Sequence, residues 1–451
     1  MDYHCVEASA MKRLFRAMLT VTALLSAGAS LCWGQYLETV IGVGDSPGEI
    51  IWNPIYNKVY CVNEQDASVS VISGETNQVL TTIAVGDYPS FLCLNADGTK
   101  LYCSRPEAAR LVVIDAAADS VLRTLSIPYR PGHMVFNATM NKLYISCSDD
   151  PAFCITVLDA AADTVLGRIN VLGIGRLLWH PVTNRVFCYT VWNADTVKVI
   201  DCLADEIVNR HPVDGGGYNY GDWCANPSNA AVYLGSHEGM YVFSPSGESV
   251  TTRVEIPSGD GYGLCAVPFP NKVYAAGAGY ARVVDGASNE VIDSLLIGGS
   301  WMNLVLDSAR RKVYCSTGGS THKADVIDAR LDTLVRTIPL GGSPRAICWN
   351  STNSRVYVSD QSGNVVYIIR DTTTGVADER ADVARQNWPA ASVVGSMIRW
   401  PGNRPANLMD LSGRMVALLE PGHNDIHSLA PGVYAAVSAG GGQATRVVRV
   451  R

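Results

Sequence analysis

Asn57-Lys58-Val59-Tyr60-Cys61 is a short stretch that the chain repeats, and its repetition decides the fold. The apolar residue and the aromatic residue return together seven more times, usually after a basic residue, as in Thr99-Lys100-Leu101-Tyr102-Cys103. The aromatic residues are Tyr60, Tyr102, Tyr144, Phe187, Tyr233, Tyr274, Tyr314 and Tyr357, at spacings of 40 to 46 residues. A fixed period in this range is typical of an architecture in which each repeat is one supersecondary unit.

Each repeat has the pattern of four short strands joined by turns. In the first repeat these are residues 49–52, 58–62, 68–72 and 78–83, separated by Asn-Pro, Asp-containing and Ser-Gly segments. Four antiparallel strands in about 40–45 residues predict the blade of a β-propeller. We label the strands of a blade A to D, with A nearest the axis.

The number of blades follows from counting strands. Eight sets of A, B and C strands are present, but only seven D strands follow them, and residues 37–41 have the pattern of the missing one. We therefore predict an all-β, eight-bladed β-propeller over residues 35–371, closed by an N-terminal outer strand, because such closure removes the last open sheet edge. Seven blades is the alternative, since the fifth repeat, residues 214–256, is degenerate.

The repeats resemble the YVTN-type β-propeller family, also called the surface-layer-protein repeat. The resemblance covers residues 36–371 and rests on the Lys-Val-Tyr strand, on Val43-Gly44-x-x-Pro47 and Val85-Gly86-x-x-Pro89, and on Val-x-Val-Ile-Asp followed by a turn and Val-x-x-Thr-Ile. It implies the propeller fold and says little about function, because one fold serves many tasks.

The first 34 residues have the pattern of a secretory signal peptide, and Met11 is an alternative start. Lys12, Arg13 and Arg16 precede an apolar run over residues 17–31, which is short for a membrane span, and cleavage is expected before Gln35. These features predict a secreted or surface-held protein whose mature chain has no transmembrane segment.

Residues 372–394 interrupt the period and are predicted to be a linker, after which residues 395–451 regain strand character. This tail resembles the C-terminal sorting domain of type IX secretion substrates. The matching residues are Asp410-x-x-Gly413-Arg414, Gly422-x-Asn424, Leu429-x-Pro431-Gly432-Val433-Tyr434 and the basic-apolar end at Arg451. The resemblance implies a small immunoglobulin-like β-sandwich, outer-membrane secretion machinery as a partner, and a location outside a bacterium that has an outer membrane. An adhesive β-sandwich with no export role is the alternative.

The net charge and the cysteine content limit the classes of partner and cofactor that the sequence predicts. The formal net charge of −7 disfavours duplex nucleic acid, because phosphate neutralisation needs clustered Lys and Arg. Most of the thirteen cysteines are expected to be small buried core residues. Cys93 with Cys103, and Cys147 with Cys154, are candidate pairs across hairpins. No Cys/His set has zinc spacing, so neither a metal nor a cofactor is predicted.

Candidate ligand-binding residues lie in the D–A loops, which share one face of the propeller with the B–C loops and converge on the channel mouth. They are Asp45, Asp87, Tyr88, Tyr129, Arg130, His133, Arg176, Tyr218, Tyr220, Tyr262, Trp301 and Arg345. Tyr and Trp offer large contact area and Arg offers forked donors, so a peptide, a glycan or a small molecule is the expected ligand. For any single residue, filling a gap between blades is the alternative.

Motifs for catalysis are not found. His133 is the best candidate for a general base, but no partner for it is visible in the sequence. Asp115, Asp119, Asp159 and Asp163 fall at C–D turns and are interpreted as turn residues rather than calcium ligands. We therefore predict a binding scaffold rather than an enzyme, with no catalytic residue. One alternative is a propeller enzyme, such as a lyase or a cofactor-dependent dehydrogenase. Another is a protein that binds single-stranded nucleic acid, but the negative net charge disfavours this hypothesis because such binding needs a positive groove.

Overall fold

The computed structural model describes residues 34–149, 152–171, 173, 175–190, 196–213, 221–236, 239–256, 263–299, 302–318 and 321–372, and short segments between 393 and 449. Within these ranges the chain consists of β-strands and turns, and the one helical element is a 3-10 turn at Pro106–Ala108. The predicted all-β class is confirmed. Of the predicted signal peptide, residues 1–34, only Gly34 is among the described residues.

Eight antiparallel four-stranded sheets follow one another along the chain and form blades 1 to 8. Blade 1 contains β2 (Pro47–Asn53), β3 (Lys58–Asn63), β4 (Ser68–Ser73) and β5 (Val79–Ala84). Blade 2 contains β6 (Leu92–Leu94), β7 (Lys100–Arg105), β8 (Arg110–Asp115) and β9 (Ser120–Ser126). Blade 3 contains β10 (Arg130–Asn137), β11 (Lys142–Asp149), β12 (Ala152–Asp159) and β13 (Thr164–Val171). Blade 4 contains β14 (Leu177–His180), β15 (Arg185–Thr190), β16 (Thr196–Asp201) and β17 (Glu206–Pro212).

The second half of the ring repeats this order. Blade 5 contains β18 (Trp223–Ala225), β19 (Val232–Ser236), β20 (Gly239–Phe243) and β21 (Val250–Glu255). Blade 6 contains β22 (Gly263–Val267), β23 (Lys272–Gly277), β24 (Tyr280–Asp285) and β25 (Val291–Leu296). Blade 7 contains β26 (Met302–Asp307), β27 (Lys312–Thr317), β28 (Lys323–Asp328) and β29 (Thr333–Pro339). Blade 8 contains β30 (Pro344–Asn350), β31 (Arg355–Asp360), β32 (Val365–Asp371) and β1 (Gln35–Gly42).

The first strand closes the ring, as predicted. β1 pairs antiparallel with β32, with Leu37 opposite Ile369 and Ile41 opposite Val366. The degenerate fifth repeat forms a complete blade, β18 to β21. The eight-bladed prediction is therefore confirmed and the seven-bladed alternative is wrong.

The repeated Lys-Val-Tyr motif connects each blade to the next. Tyr60 is fully buried, and its hydroxyl donates to Asp119 Oδ1 at 3.3 Å, while Lys58 Nζ donates to Asp119 Oδ2 at 2.7 Å. Asp119 lies in the C–D turn of the following blade with φ of 51°, a left-handed conformation that Asp and Asn tolerate better than most residues. We call this contact the interblade latch.

The latch recurs around the ring, with the donors on the B strand and the acceptor in the neighbouring blade. The further tyrosine–acceptor pairs are Tyr102–Asp163, Tyr144–Asp205, Tyr233–Asn289, Tyr274–Asp332, Tyr314–Asp371 and Tyr357–Asn77. The exception is informative. Phe187 replaces the tyrosine in blade 4, and the left-handed turn residue that it faces is Gly247, where an added Cβ would lie 3.0 Å from the Phe187 ring. Where the donor is lost, the acceptor is lost with it.

The cysteines correct one prediction. All eleven cysteines within the described ranges are free thiols, and ten of them are buried. Cys93 lies opposite Tyr102, one position away from Cys103, so the two cysteines point to opposite faces of their sheet and cannot pair. Cys147 does lie directly opposite Cys154.

The C-terminal tail forms two antiparallel sheets. One contains β33 (Val393–Val394), β34 (Met397–Trp400) and β37 (Gly422–Asp425), and the other β35 (Ala406–Asp410), β36 (Met415–Leu419), β38 (Gly432–Ser438) and β39 (Thr445–Arg449). β33 occupies the last two residues of the predicted linker, and most of that linker, residues 373–392, lies outside the described residues. The immunoglobulin-like arrangement stays a prediction.

Candidate functional site

The A strands surround the channel, and one equivalent position, on each A strand or directly before it, forms a ring of residues. This position lies four residues before the residue that starts each A–B turn, for example Asn53 in blade 1. The eight residues are Glu49, Phe91, His133, Arg176, Asp222, Gly263, Asn303 and Ala346, which we call the channel ring. They represent eight different amino acids at one level of a repetitive fold.

Glu49 is an acceptor without a partner. Its carboxyl interacts electrostatically with Arg176 and Asp222, at the start of blades 4 and 5, which indicates that the side chain faces the axis. Desolvation raises the pKa of Glu49, and the opposing charge of Arg176 offsets this only in part. Within the part of the chain that is described, Glu49 makes neither a hydrogen bond nor a salt bridge.

His133 is a neutral donor. Its Nδ1 accepts the backbone N–H of Leu177 from the next blade at 3.2 Å, and its ring meets Phe91 edge-on at 5.7 Å between centroids. Burial, and to a smaller extent the charge of Arg176, lowers the pKa of His133 to about 3. Because Nδ1 accepts, the single proton of the neutral ring sits on Nε2, where it is available to a ligand.

Arg176 and Asp222 form an ion pair between blades 4 and 5. The Nη1–Oδ1 distance is 3.1 Å, and the side chains are 41% and 29% exposed. Trp223 holds this pair in place, since its indole N–H donates to the Arg176 carbonyl at 3.1 Å and its backbone N–H donates to Asp222 Oδ1 at 3.0 Å. The pair therefore presents fixed charges to the channel while keeping polar surface free.

The opposite wall is built around Arg345. Its carbonyl accepts a hydrogen bond from Asn303 Nδ2 at 2.7 Å, and its guanidinium approaches Gln361 Oε1 at 3.3 Å and Glu64 Oε1 at 3.9 Å. Arg345 lies directly before the ring residue Ala346 and is exposed at the D–A face. It adds a positive charge beside Glu49, whose carboxyl also senses it.

The residues predicted from the sequence fall into three groups. His133 and Arg176 belong to the channel ring, and Arg345 is adjacent to it. Asp45, Asp87, Tyr88 and Tyr129 lie in D–A loops, and Arg130 is the first residue of β10. The remaining four, Tyr218, Tyr220, Tyr262 and Trp301, lie outside the described residues.

Several of the outer residues are engaged in local contacts. Asp45 accepts a hydrogen bond from Asn364 Nδ2 at 2.6 Å, and Arg130 pairs with Glu107. The ring of Tyr129 carries the Arg168 guanidinium at 5.7 Å. Tyr88, by contrast, is 57% exposed with a φ of 50°, so it presents free aromatic surface at the loop face.

Sequence reasoning missed Glu49, Phe91, Asp222 and Asn303. Glu49 and Asn303 lie inside A strands, and Phe91 and Asp222 lie directly before one, so a search for loop motifs does not single them out. Aligning the repeats on the residue that starts each A–B turn would have brought them together, because the ring position is the one that varies most in chemistry.

The interpretation of the turn aspartates is confirmed and extended. Asp115 Oδ1 accepts the backbone N–H groups of Ala117 and Ala118 at 2.8 and 2.9 Å, as a turn residue does. Asp119 belongs to the interblade latch. Among the residues with described positions, no group of three or more His, Cys, Asp or Glu side chains is arranged to hold a metal ion. No described helix has the length and apolar character needed to span a membrane.

Comparisons with known proteins reveal the fold and no closer relationship. No family model matches the chain, and no curated protein matches it. Hydrazine synthase of Kuenenia stuttgartiensis is similar over 72% of this chain and 96% of its own, with 17% identity and a TM-score of 0.54. The dihydro-heme d1 dehydrogenase NirN in complex with DHE is similar over 68% and 73%, with 12% identity and a TM-score of 0.55. The β-propeller domain of Cps50 (Swd1) from Myceliophteria thermophila is similar over 75% and 100%, with 10% identity and a TM-score of 0.53. At these identities the likeness concerns the β-propeller fold alone.

Proposed function

We propose that the protein is a non-catalytic binding scaffold that holds a polar ligand, such as a glycan, a peptide or a small molecule, at the channel ring and the loops around it. The observation that carries this proposal is the diversity of the ring. Positions with a structural task repeat from blade to blade, as the latch tyrosines do, because blade packing makes the same demand each time. Eight different residues at one level indicate that packing does not dictate this position.

The ring also has the chemistry of a recognition site. Glu49 offers an unpaired acceptor, His133 offers an Nε2–H donor, and the Arg176–Asp222 pair keeps exposed polar surface. Phe91 adds an apolar ring edge beside His133. A few placed polar groups around an apolar contact are typical of sites for small molecules and chain ends. A ligand with several hydroxyl or amide groups fits this arrangement best.

A propeller enzyme is the second candidate, and one observation favours it. Glu49 and His133 face the same channel with pKa values shifted in opposite directions, upward for the carboxyl and downward for the imidazole. Titratable groups with shifted pKa values in a cleft are candidates for acid–base chemistry. We prefer the scaffold because Nδ1 of His133 already accepts a hydrogen bond from a backbone N–H. In addition, the described ring residues include no hydrogen-bonded pair of nucleophile and base.

The location of the protein is part of the proposal. The signal-like residues 1–34 and the sorting-domain resemblance of residues 395–451 support export across the outer membrane of a bacterium and a secreted or surface-held protein. Outer-membrane secretion machinery would be the partner of this tail.

Binding can be tested with the full chain on glycan and peptide arrays, followed by affinity measurements on hits with Glu49→Gln and Arg176→Gln. Each variant is expected to weaken binding by about tenfold or more, since a hydrogen bond to a charged group contributes roughly 1.5–3 kcal/mol. Glu206→Gln is the control, because Glu206 is exposed at the start of a D strand on the opposite face. Affinity unchanged in both ring variants would place the ligand elsewhere, and chemical conversion of a bound ligand would favour the enzyme.

A further inference from the structure

One pair of cysteines is placed differently from all the others. In the antiparallel hairpin of β11 and β12, Cys147 lies directly opposite Cys154, so both side chains project from the same face of the sheet. Every other described strand cysteine lies opposite a residue of another type, for example Cys93 opposite Tyr102 and Cys348 opposite Tyr357.

We propose that Cys147 and Cys154 are a redox-active pair that closes to a disulfide across the β11–β12 hairpin. The spacing of the backbone at this position is compatible with such a closure. Directly opposed residues of an antiparallel pair have Cα atoms about 4.5 or 5.5 Å apart, and disulfides span Cα separations of about 4.4–6.8 Å. Both possible spacings lie inside that window.

The surroundings of the sulfur atoms fit this chemistry. Thr156 Oγ1 lies 3.3 Å from Cys147 Sγ and 3.8 Å from Cys154 Sγ, so a hydroxyl can donate to either sulfur. The hydrogen bond from Cys147 lowers the pKa of Cys154 to about 7, and the charge of Arg168 acts in the same direction. Cys154 is therefore the sulfur that starts the exchange, because the thiolate is the nucleophile. The single buried thiols Cys61 and Cys103 have pKa values raised by burial.

The reaction is a thiol–disulfide exchange with a low-molecular-weight disulfide such as oxidised glutathione. The Cys154 thiolate attacks this disulfide, which forms a mixed disulfide and releases one glutathione thiolate. Cys147 then loses its proton and attacks the Cys154 sulfur, which releases the second glutathione. Two electrons pass from the protein dithiol to the small disulfide, and the two protons end on the two glutathione thiols. Both cysteines are about 1% exposed or less, so the first attack requires opening of the hairpin end and is slow.

The pair lies beside the channel ring. Cys147 faces Pro131 on β10, and the irregular stretch between Pro131 and Met134 carries His133. The disulfide would thus fasten the hairpin that supports the strand bearing the channel histidine. This inference does not depend on the proposed ligand.

The full chain can be equilibrated in glutathione buffers of decreasing reducing strength, quenched with an alkylating agent, and digested for mass spectrometry. The expected result is the loss of two free thiols together with one disulfide-linked Cys147–Cys154 species, and full reversal by dithiothreitol. Cys147→Ser should form no intramolecular disulfide and should instead retain glutathione on Cys154 as a mixed disulfide, while Cys93→Ser, which replaces a buried cysteine with no opposed thiol, should behave as wild type.

Two results would overturn the proposal, and both come from wild-type protein, so they hold even if a variant does not fold. One is a full set of free thiols in strongly oxidising glutathione while the far-ultraviolet spectrum of the folded protein is retained. The other is a disulfide that joins any other cysteines.

Discussion

The interblade latch predicts the effect of removing one hydroxyl. Tyr274 is fully buried, and its hydroxyl donates to Asp332 Oδ1 at 2.5 Å, while Lys272 Nζ donates to Asp332 Oδ2 at 2.5 Å. Tyr274→Phe deletes only the first of these bonds and keeps the packing of the ring. Because Lys272 still compensates the carboxylate, no uncompensated buried charge is left.

The magnitude follows from the kind of bond that is lost. A hydrogen bond to a charged group contributes about 1.5–3 kcal/mol, and the lower part of this range applies here because Asp332 keeps the Lys272 contact. We expect Tyr274→Phe to lower the free energy of unfolding by about 1.5–2 kcal/mol. Urea unfolding of the full chain, followed by tryptophan fluorescence, measures this change as a shift of the midpoint at constant m-value.

Blade 4 supplies the matched control. Phe187→Tyr adds a hydroxyl where the neighbouring blade offers Gly247 and the rings of Trp223 and Phe243 instead of a carboxylate. A buried hydroxyl without a partner should also destabilise, by about 1–3 kcal/mol. The reasoning is refuted if Tyr274→Phe changes stability by less than about 0.5 kcal/mol, which is the range of an ordinary surface substitution, or if Phe187→Tyr stabilises the protein.

Three further predictions concern pH. The buried B-strand tyrosines, for example Tyr60 and Tyr144, have pKa values that are raised first by burial and then by their latch carboxylates. The stability of the protein should therefore fall as the pH rises above 10, the ordinary pKa of tyrosine, and tyrosine ionisation, followed by tyrosinate absorbance, should coincide with unfolding. Titration of all tyrosines in the still-folded protein would contradict the latch. The pKa of Glu49 is raised in the folded protein, so its contribution to stability is present below pH 4.5 and is lost as the pH rises. Glu49→Gln should therefore have a higher melting temperature than wild type near pH 8 and the same melting temperature near pH 4. A difference in melting temperature that is the same at both pH values would argue against a desolvated carboxyl. His133 has a pKa of about 3 in the folded protein, compared with an ordinary value of 6.5, so its contribution to stability is present above pH 6.5 and is lost as the pH falls. His133→Gln should therefore make the melting temperature fall less steeply on the acid side. Identical pH profiles for variant and wild type would mean that the imidazole protonates freely in the folded protein.

The fold could be predicted because its determinants are local and repeated. The alternating strands, the turn residues and the aromatic of each B strand lie within 40 to 46 residues of their next copy, so each repeat supports the assignment of the others. Even the closing strand was visible, because residues 37–41 follow the D-strand pattern.

The contacts between blades could not be predicted in the same way. The pattern around Asp119 predicts a turn residue, but no local signal indicates the offset that places it against Tyr60 and Lys58, which lie 59 and 61 positions earlier. The ring was missed for a related reason. Glu49 and Asp222 belong to different repeats, and a search for a shared motif passes over a position whose residue differs in every repeat, although an alignment of the repeats would show that variation.

The pairing of β1 with β32 has a consequence for how the chain folds. The first described strand, β1, is the outermost strand of the last blade, so the sheet of blade 8 cannot be completed until residue 371 is available. Before that point β1 lacks the strand with which it pairs in the folded protein. Such long-range closure is slow and leaves intermediates with exposed strand edges. We therefore expect ring closure to be a late folding event, and removal of residues 35–42 to leave the edge of blade 8 open and promote aggregation.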